Sequence, residues 1–391
     1  MRIILFTGKG GVGKSTNACA TAALTAATGR KTLLVSSDLA HNLSDIFDVK
    51  DGGSKKRISG NLDILEVDIL EEIRKNWDSI QRYYANLFSY MGMDSVVAEE
   101  VALIPGMDEL FLLTGILREI ESGTYDVVII DCAPTAGTLQ WLTLTDTSSH
   151  RANRFIKIER HILNLVRQIG KRMKSIKNFL PEDELFITAG KIVEDIGRLG
   201  VFLRNHEVCS IRLVLNPDKI AIAESKRSYT YFSLFGFPVD AVLVNKLFPV
   251  ELEDGYFQKW RHLQQEQMKQ LHQSFLNTRI ISIRHYENEP IGVERLEEMG
   301  KEIYGELDPA AVLSNVNTVA FKKQNGRVVL SIVLPGLDKA SIDVGRKDND
   351  LLIRAEGYSR VFSLPDTLAN VDIDKAEYDE NRLKIRFAGK E

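Results

Sequence analysis

Apolar positions along this chain change their period twice. The first regime is one of short unbroken apolar runs: Ile3–Phe6, Thr32–Val35, Asn61–Val67, Val127–Asp131, Ile211–Leu215, Val239–Asn245 and Ile280–Ile283. Runs that are apolar at nearly every position predict parallel strands buried on both faces. Between them lie predicted helices: the alanine-rich stretch Asn17–Ala27, which stops at Gly29, most of 70–122, a segment through Glu224 and Lys226, and Tyr256–Leu276. Strands alternating with helices in this way predict an α/β domain built on a parallel sheet.

A second regime interrupts the first at 150–206. From His150 to Asn178 the apolar residues Phe155, Ile158, Ile162, Leu165, Val166 and Ile169 recur at spacings of three and four, a helical stripe. The same stretch carries Arg151, Arg154, Lys157, Arg160, Arg167, Lys171, Arg172, Lys174 and Lys177 against a single acid, Glu159. Such a helix either packs one face on a neighbour with its charges solvated, or lies on an anionic membrane or lines a client groove. Asp183–Asn205 is a second amphipathic helix, and the two are expected to pair with the helices before Asp131.

Past Asp308-Pro309 the period becomes two. Val319–Lys323, Val328–Val333, Leu351–Arg354, Val361–Leu364 and Leu383–Phe387 alternate apolar and polar residues, with turn pairs Asn325-Gly326 and Pro335-Gly336 between them. That predicts an antiparallel β-domain. The expected domains are therefore 1–310, α/β with helical insertions at about 70–122 and 150–206, and 317–391, all-β.

The chemistry enters between the first strand and the first helix. Gly8-Lys9-Gly10-Gly11-Val12-Gly13-Lys14-Ser15, followed by Thr16, fits the phosphate-binding loop G-x-x-x-x-G-K-[ST]. Its glycines let backbone N–H groups close round a phosphate at a helix N-terminus. Lys14 is placed on the β- and γ-phosphates and the Ser15 hydroxyl on Mg²⁺. The four fixed positions arise by chance in on the order of one per cent of chains this long, before the correct flanks are counted. Two carboxylates follow at the ends of buried strands, where α/β folds place their chemistry. Asp38 either orients a water against the γ-phosphate or caps the next helix. Asp131 suits the magnesium side of the site, directly or through a water.

Bulk composition narrows the partners. The 391 residues carry a net charge of −4, so nucleic acid is not an expected partner. The three cysteines, Cys19, Cys132 and Cys209, are far apart and read as buried thiols in a reducing compartment. With no signal peptide or spanning segment, the expected location is cytoplasmic.

Several of these motifs together carry a family resemblance. The second lysine in Lys9-Gly10-Gly11-Val12-Gly13-Lys14 is similar to the deviant phosphate loop of the MinD-type, arsenite-pump and tail-anchored-protein-targeting ATPases. Asp38-Leu39-Ala40-His41-Asn42-Leu43-Ser44-Asp45 resembles the first switch of the targeting ATPases, with Leu39 where they have proline, and Asp131-Cys132-Ala133-Pro134-Thr135 through Leu139 resembles the second. Asn245-Lys246 matches the step that holds adenine in that family, although the loop Arg284-His285-Tyr286 lacks the usual proline. Leu334-Pro335-Gly336-Leu337 and the strands after it resemble an α-crystallin, or small heat-shock, domain without the swapped loop between Ala355 and Val361. The resemblance implies a dimeric Mg-ATPase in which Lys9 reaches the partner's nucleotide and Asp38 serves hydrolysis, with His41, Asp131, Pro134 and Thr135 in the switches. It further implies a nucleotide-gated binder of hydrophobic helical clients, such as transmembrane segments, working with a membrane-bound receptor. The alternatives are the catalytic subunit of an arsenite or anion efflux pump, and a non-enzymatic holdase using the β-domain.

Overall fold

The computed structural model describes residues 1–37, 43–49, 54–67, 107–133, 135–145, 183–249, 255–275, 277–314, 318–324, 327–368 and 371–388. Asp38, His41, Pro134 and the basic stripe His150–Asn178 lie outside the described residues. So does most of 70–122. The chain divides into two compact units, one of Met1–Glu66, Gly123–Gln140 and Phe202–Glu391, the other of Val67–Ser122 and Trp141–Val201.

In chain order the α/β part runs β1 (Arg2–Thr7), α1 (Lys14–Ala27), β2 (Thr32–Ser36), α2 (Leu43–Ile46), β3 (Lys55–Ser59) and β4 (Leu62–Glu66). It continues with α3 (Met107–Glu121), β5 (Val127–Asp131), α4 (Thr135–Leu144) and α5 (Asp183–Arg204). The remainder is β6 (Cys209–Leu215), α6 (Lys219–Leu234), β7 (Val239–Leu247), α7 (Gly255–Ser274), β8 (Arg279–Arg284) and α8 (Val293–Tyr304). Among the described residues one eight-stranded sheet forms in the order β3-β4-β2-β5-β1-β6-β7-β8. It is parallel except for β3, which runs antiparallel to β4 at the edge. The seven strands read from apolar runs are the parallel ones, and β5 is buried at every residue, as a doubly covered strand must be.

Helix α1 is nearly all small residues, and that lets α8 lie directly on it. A side chain at Gly300 of α8 would stand 2.6 Å from the Ala20 carbonyl oxygen and 2.8 Å from Leu24 Cβ. Thr21 of α1 and Tyr304 of α8 share a 2.8 Å hydrogen bond, and the buried Arg212 donates to the same Tyr304 hydroxyl at 2.8 Å. Beyond α8 the chain is strapped across the sheet. Arg30 grips Asp308 with two bonds of 2.6 and 2.7 Å, Arg2 donates to the Ala310 carbonyl, and Arg212 to that of Ala311.

The antiparallel part comprises β9 (Val319–Gln324), β10 (Arg327–Val333), β11 (Ile342–Lys347), β12 (Asp350–Ala355), β13 (Tyr358–Ser363), β14 (Ile373–Asp379) and β15 (Arg382–Phe387). They form two sheets, β14-β15-β10-β9 and β11-β12-β13. Alternation sets the faces: Leu383, Ile385 and Phe387 are buried while Lys384 and Arg386 point away. Strands β12 and β13 are joined by Glu356-Gly357 alone, at φ 49° and 80°. Two residues with positive φ make a tight hairpin turn, so no exchanged loop leaves the domain at that point.

In the second unit, the described residues include α3, the end of α4 from Trp141 and the part of α5 up to Val201. Arg198 bonds Glu121 at 2.7 Å and Asp195 at 2.6 Å, tying the two helices at an exposed position.

Candidate nucleotide-binding site

The loop between β1 and α1 is shaped by two close approaches. A side chain at Gly8 would overlap the Val214 carbonyl oxygen of β6 at 2.0 Å. Gly13 takes φ +93°, and a Cβ there would stand 2.3 Å from the Asn245 amide nitrogen. Gly13 is also the N-cap of α1 and offers no side-chain cap. The first N–H groups of that helix are therefore left to donate to an anion, with the helix dipole behind them.

A cavity of about 680 Å³ opens over this loop. Gly10, Gly11, Gly13, Lys14, Ser15 and Thr16 line it together with Asp45, Asn245, Lys246 and the segment from Arg284 to Ile291. Lys14 is 8% exposed, and its ammonium donates to the Lys9 carbonyl across the loop at 3.3 Å. Val12 is buried beneath the loop. Lys9 is exposed and does not line the cavity of its own chain.

Asn245 sits at the base, 6% exposed, with Nδ2 donating to the Val12 carbonyl at 2.9 Å and Oδ1 accepting from the Lys246 N–H. Each end of the amide keeps one further hydrogen-bonding position. Lys246, which the sequence marked only as the second residue of the Asn245-Lys246 step, has a structural part of its own. It takes φ +60°, uncommon for a residue with a side chain, and its ammonium donates to the Gly11 carbonyl at 3.1 Å. From α7, Gln264 holds this turn by bonding Phe248 N at 3.0 Å and the Lys246 carbonyl at 3.3 Å. The only prior signal for Lys246 was its place after Asn245.

The opposite rim is braced by charge. Arg284 donates twice to Glu302, each at 2.9 Å, and the Tyr286 hydroxyl donates to the same carboxylate at 2.9 Å. Arg284 holds the Glu302 carboxyl below its ordinary range. Burial, reinforced by Glu302, pushes the Tyr286 phenol up to about 12. The loop 284–286 thus lines the cavity even without the proline usual at that place in the family it resembles.

The second carboxylate, Asp131, is buried at the end of β5. The next peptide is fixed from both sides: Ala133 N–H donates to Ser37 Oγ at 2.9 Å, and the Ala133 carbonyl accepts from Thr138 Oγ1 at 2.8 Å. Ser37, the last described residue before Asp38, also donates its N–H to the Asp131 carbonyl at 2.9 Å. The segments leading into both predicted switches are therefore tied together. Thr135, buried at the start of α4, has a hydroxyl with no hydrogen-bond partner among the described residues. Where the first switch ends, Ser44 Oγ donates to Glu66 at 2.6 Å, and Lys56 completes a buried ion pair with Glu66 at 3.0 Å.

A model of the anion-transporting ATPase family matches residues 1–305, and one of the HSP20-like domain found in ArsA matches residues 325–387. The chain belongs to the anion-transporting ATPase family. It is 32% identical over 388 residues to the "Putative arsenical pump-driving ATPase" of Chlorobaculum tepidum, covering 99% of this chain and 96% of that one. The "Putative arsenical pump-driving ATPase 1" of Aquifex aeolicus is 32% identical over 395 residues, covering 98% and 99%. The "ATPase ASNA1 homolog" of Entamoeba dispar is 28% identical over 307 residues, covering 76% of this chain and 91% of its own. This ATPase hydrolyses ATP, as its family does. The β-domain is the HSP20-like one, matching the α-crystallin resemblance of its strands.

The cysteines of this ATPase are all buried. Burial pushes each thiol above its ordinary range, with Asp131 adding to the effect at Cys132. Cys209 pairs with Ile3 at one end of β1, whereas Cys132 follows Asp131, the partner of Phe6 at the other. Three residues of strand, roughly 10 Å, separate the two along the sheet. No described helix is long and apolar enough to cross a membrane.

Proposed function

We propose that the chain is a Mg-ATP-driven switch, dimeric when active, that grips hydrophobic helical clients in its ATP state and releases them in its ADP state. One observation carries the nucleotide site. The uncapped N-terminus of α1, the glycine loop, Lys14, Ser15 and Thr16 all line one cavity, with Asn245 and Lys246 bonded to the loop beside it. Lys14 and the loop amides would hold the phosphates, and the cavity beyond Asn245 would take the base. Ser15 and Asp131 supply a hydroxyl and a carboxylate, hard oxygen donors that suit Mg²⁺, with substrate phosphates and water filling its other positions. When bound, that ion would neutralise charge on the β- and γ-phosphates. Asp38 is assigned to orient the attacking water, and Ser37 beside it is tied to Ala133, so loss of the γ-phosphate would be felt by both switches. Lys9, exposed and outside its own cavity, would add its charge to a second copy's nucleotide.

Client binding rests on the apolar stripe Ile158, Ile162 and Leu165 and its neighbours in the second unit. Two such insertions side by side would cover part of a transmembrane helix of ~20 apolar residues, at roughly 25 cal/mol per Å² of apolar surface buried. A membrane-bound receptor would then accept the client. The test is capture of a fluorescent apolar helical peptide by Asp38→Asn, an amide that keeps the shape but orients water poorly. Binding with ATP and release with ADP supports the reading, and equal binding in both states overturns it.

The names of the relatives favour a second reading, the drive subunit of an arsenite efflux pump. One As(III) needs three thiols together, and Cys132 and Cys209 lie at opposite ends of the sheet. On that reading the metalloid would bind the membrane partner. Stimulation of turnover by arsenite in the isolated chain would contradict this. A non-enzymatic holdase does not fit a chain of an ATPase family.

A further inference from the structure

The HSP20-like domain holds the ATPase core through groups whose contacts end on the helix that follows Asp131. Helix α6 stops at Leu234-Phe235-Gly236, where its last carbonyls have no partner within the helix. Two arginines supply donors. Arg204, in the last turn of α5, donates Nε to the Phe235 carbonyl at 3.1 Å, and Arg360 of β13 donates Nη1 to the Leu234 carbonyl. The Arg360 guanidinium also lies 4.4 Å from the Phe362 ring and 5.4 Å from the Phe235 ring. Beside it, Tyr358 meets Tyr231 edge-on at 5.2 Å, and Tyr231 stacks on Phe235 at 4.4 Å. Tyr231 is 5% exposed, and its hydroxyl donates to the Leu139 carbonyl of α4 at 3.0 Å. Four residues upstream of Leu139, α4 begins at Thr135 with its buried hydroxyl, unpartnered among the described residues.

We propose that Tyr231 is a positioning residue for ATP hydrolysis, held in place by Tyr358 and Arg360, and that through it the β-domain sets the position of α4. The domain is then a built-in regulator of the second switch. Its grip is aromatic and cationic, so it is strong where water is excluded, and it reaches α4 through the Tyr231 hydroxyl on the Leu139 carbonyl. Anything that pulls β13 away from α6, such as a client or partner seated on the β-domain, would change turnover without touching the nucleotide. The proposal rests on the assignment of Asp131–Thr135 to the nucleotide-responsive loop.

The test is a double-mutant cycle in the full-length chain, with kcat and KM for ATP measured for Tyr231→Phe, Arg360→Ala and the pair. Tyr231→Phe keeps the ring cluster and removes the hydroxyl that bonds Leu139. Each single change is expected to lower kcat by about three- to tenfold, the rate equivalent of one ordinary hydrogen bond, with KM unchanged. The pair is expected to be no slower than the worse single variant, because both break one path. Should Arg360→Ala not fold, Tyr358→Ala replaces it in the cycle. Wild-type kcat in either single variant, a change confined to KM, or effects that simply multiply would overturn the proposal. Lys14→Ala is assayed alongside: turnover by that variant would fail the site assignment itself, a result separable from the outcome of the cycle.

Discussion

On the proposed dimer, Lys9 of one chain acts at the site that holds Asp38 of the other. Lys9 lies outside the cavity formed by its own loop, so Lys9→Ala should leave nucleotide affinity within about threefold and reduce turnover more than tenfold. A mixed dimer of Lys9→Ala and Asp38→Asn chains keeps one composite site intact. Its turnover should exceed that of either parent dimer, and no recovery would place Lys9 in its own chain's site. Glu66 makes a second residue-level claim. Burial would push its carboxyl up, but the Ser44 hydroxyl and N–H and the Lys56 ammonium together pull it below its ordinary value. A depressed folded-state pKa adds stability that is fully present above the unfolded value of about 4.3 and is lost as pH falls through the folded one. Thermal midpoints of wild type and Glu66→Gln should therefore differ at pH 7 and converge on acidification. A constant offset from pH 3 to 7 would show that the carboxylate charge contributes nothing there.

Packing of whole elements explains both what the sequence declared and what it hid. Seven strands were legible because their apolar runs dominate: β1, β2, β4, β5, β6 and most of β7 are buried almost throughout, and β8, though an edge strand with Arg279, Ser282 and Arg284 exposed, keeps Ile280, Ile281 and Ile283. Strand β3, Lys55–Ser59, was not, because it is a sheet edge with Lys55 and Arg57 exposed, the composition by which edges resist further pairing. The same holds for β11 and β14, whose charged residues mask a period of two. Helix α8 hid for a different reason: its place depends on Gly300, and a glycine inside a helix argues against the helix when read alone. Gly300→Ala sets a helix-propensity gain of about 1 kcal/mol against overpacking on the Ala20 carbonyl of about 1–3 kcal/mol. A net loss of stability is expected by denaturant titration, and a gain would show that α1 and α8 are not in backbone contact. At the site, the glycine loop, Asp131 and Asn245 were legible as motifs. Lys246 and the Arg284–Tyr286–Glu302 brace were not, since nothing local says that Lys246 will bond the Gly11 carbonyl or that residue 284 will line the same cavity.

For the whole molecule, the β-domain is the part whose role the sequence left most open. It shares a compact unit with the catalytic sheet, and besides the Arg360 grip it is tied down by Asn381, which donates to the Ser274 carbonyl of α7 at 3.3 Å. All cavity-lining residues lie upstream of it. Removal of residues 317–391 should therefore leave ATP hydrolysis measurable but slowed, and a folded, soluble truncation with no turnover would make the domain part of the catalytic assembly. The central claim is that the cavity over the glycine loop is where ATP is held and turned over. Steady-state ATP hydrolysis by Lys14→Ala, with folding verified by its thermal midpoint, tests it most directly. Removal of the cation from the β- and γ-phosphates is predicted to cut turnover by roughly a hundredfold or more, the scale of losing one charged donor to a transition state. Turnover near that of wild type would contradict the account.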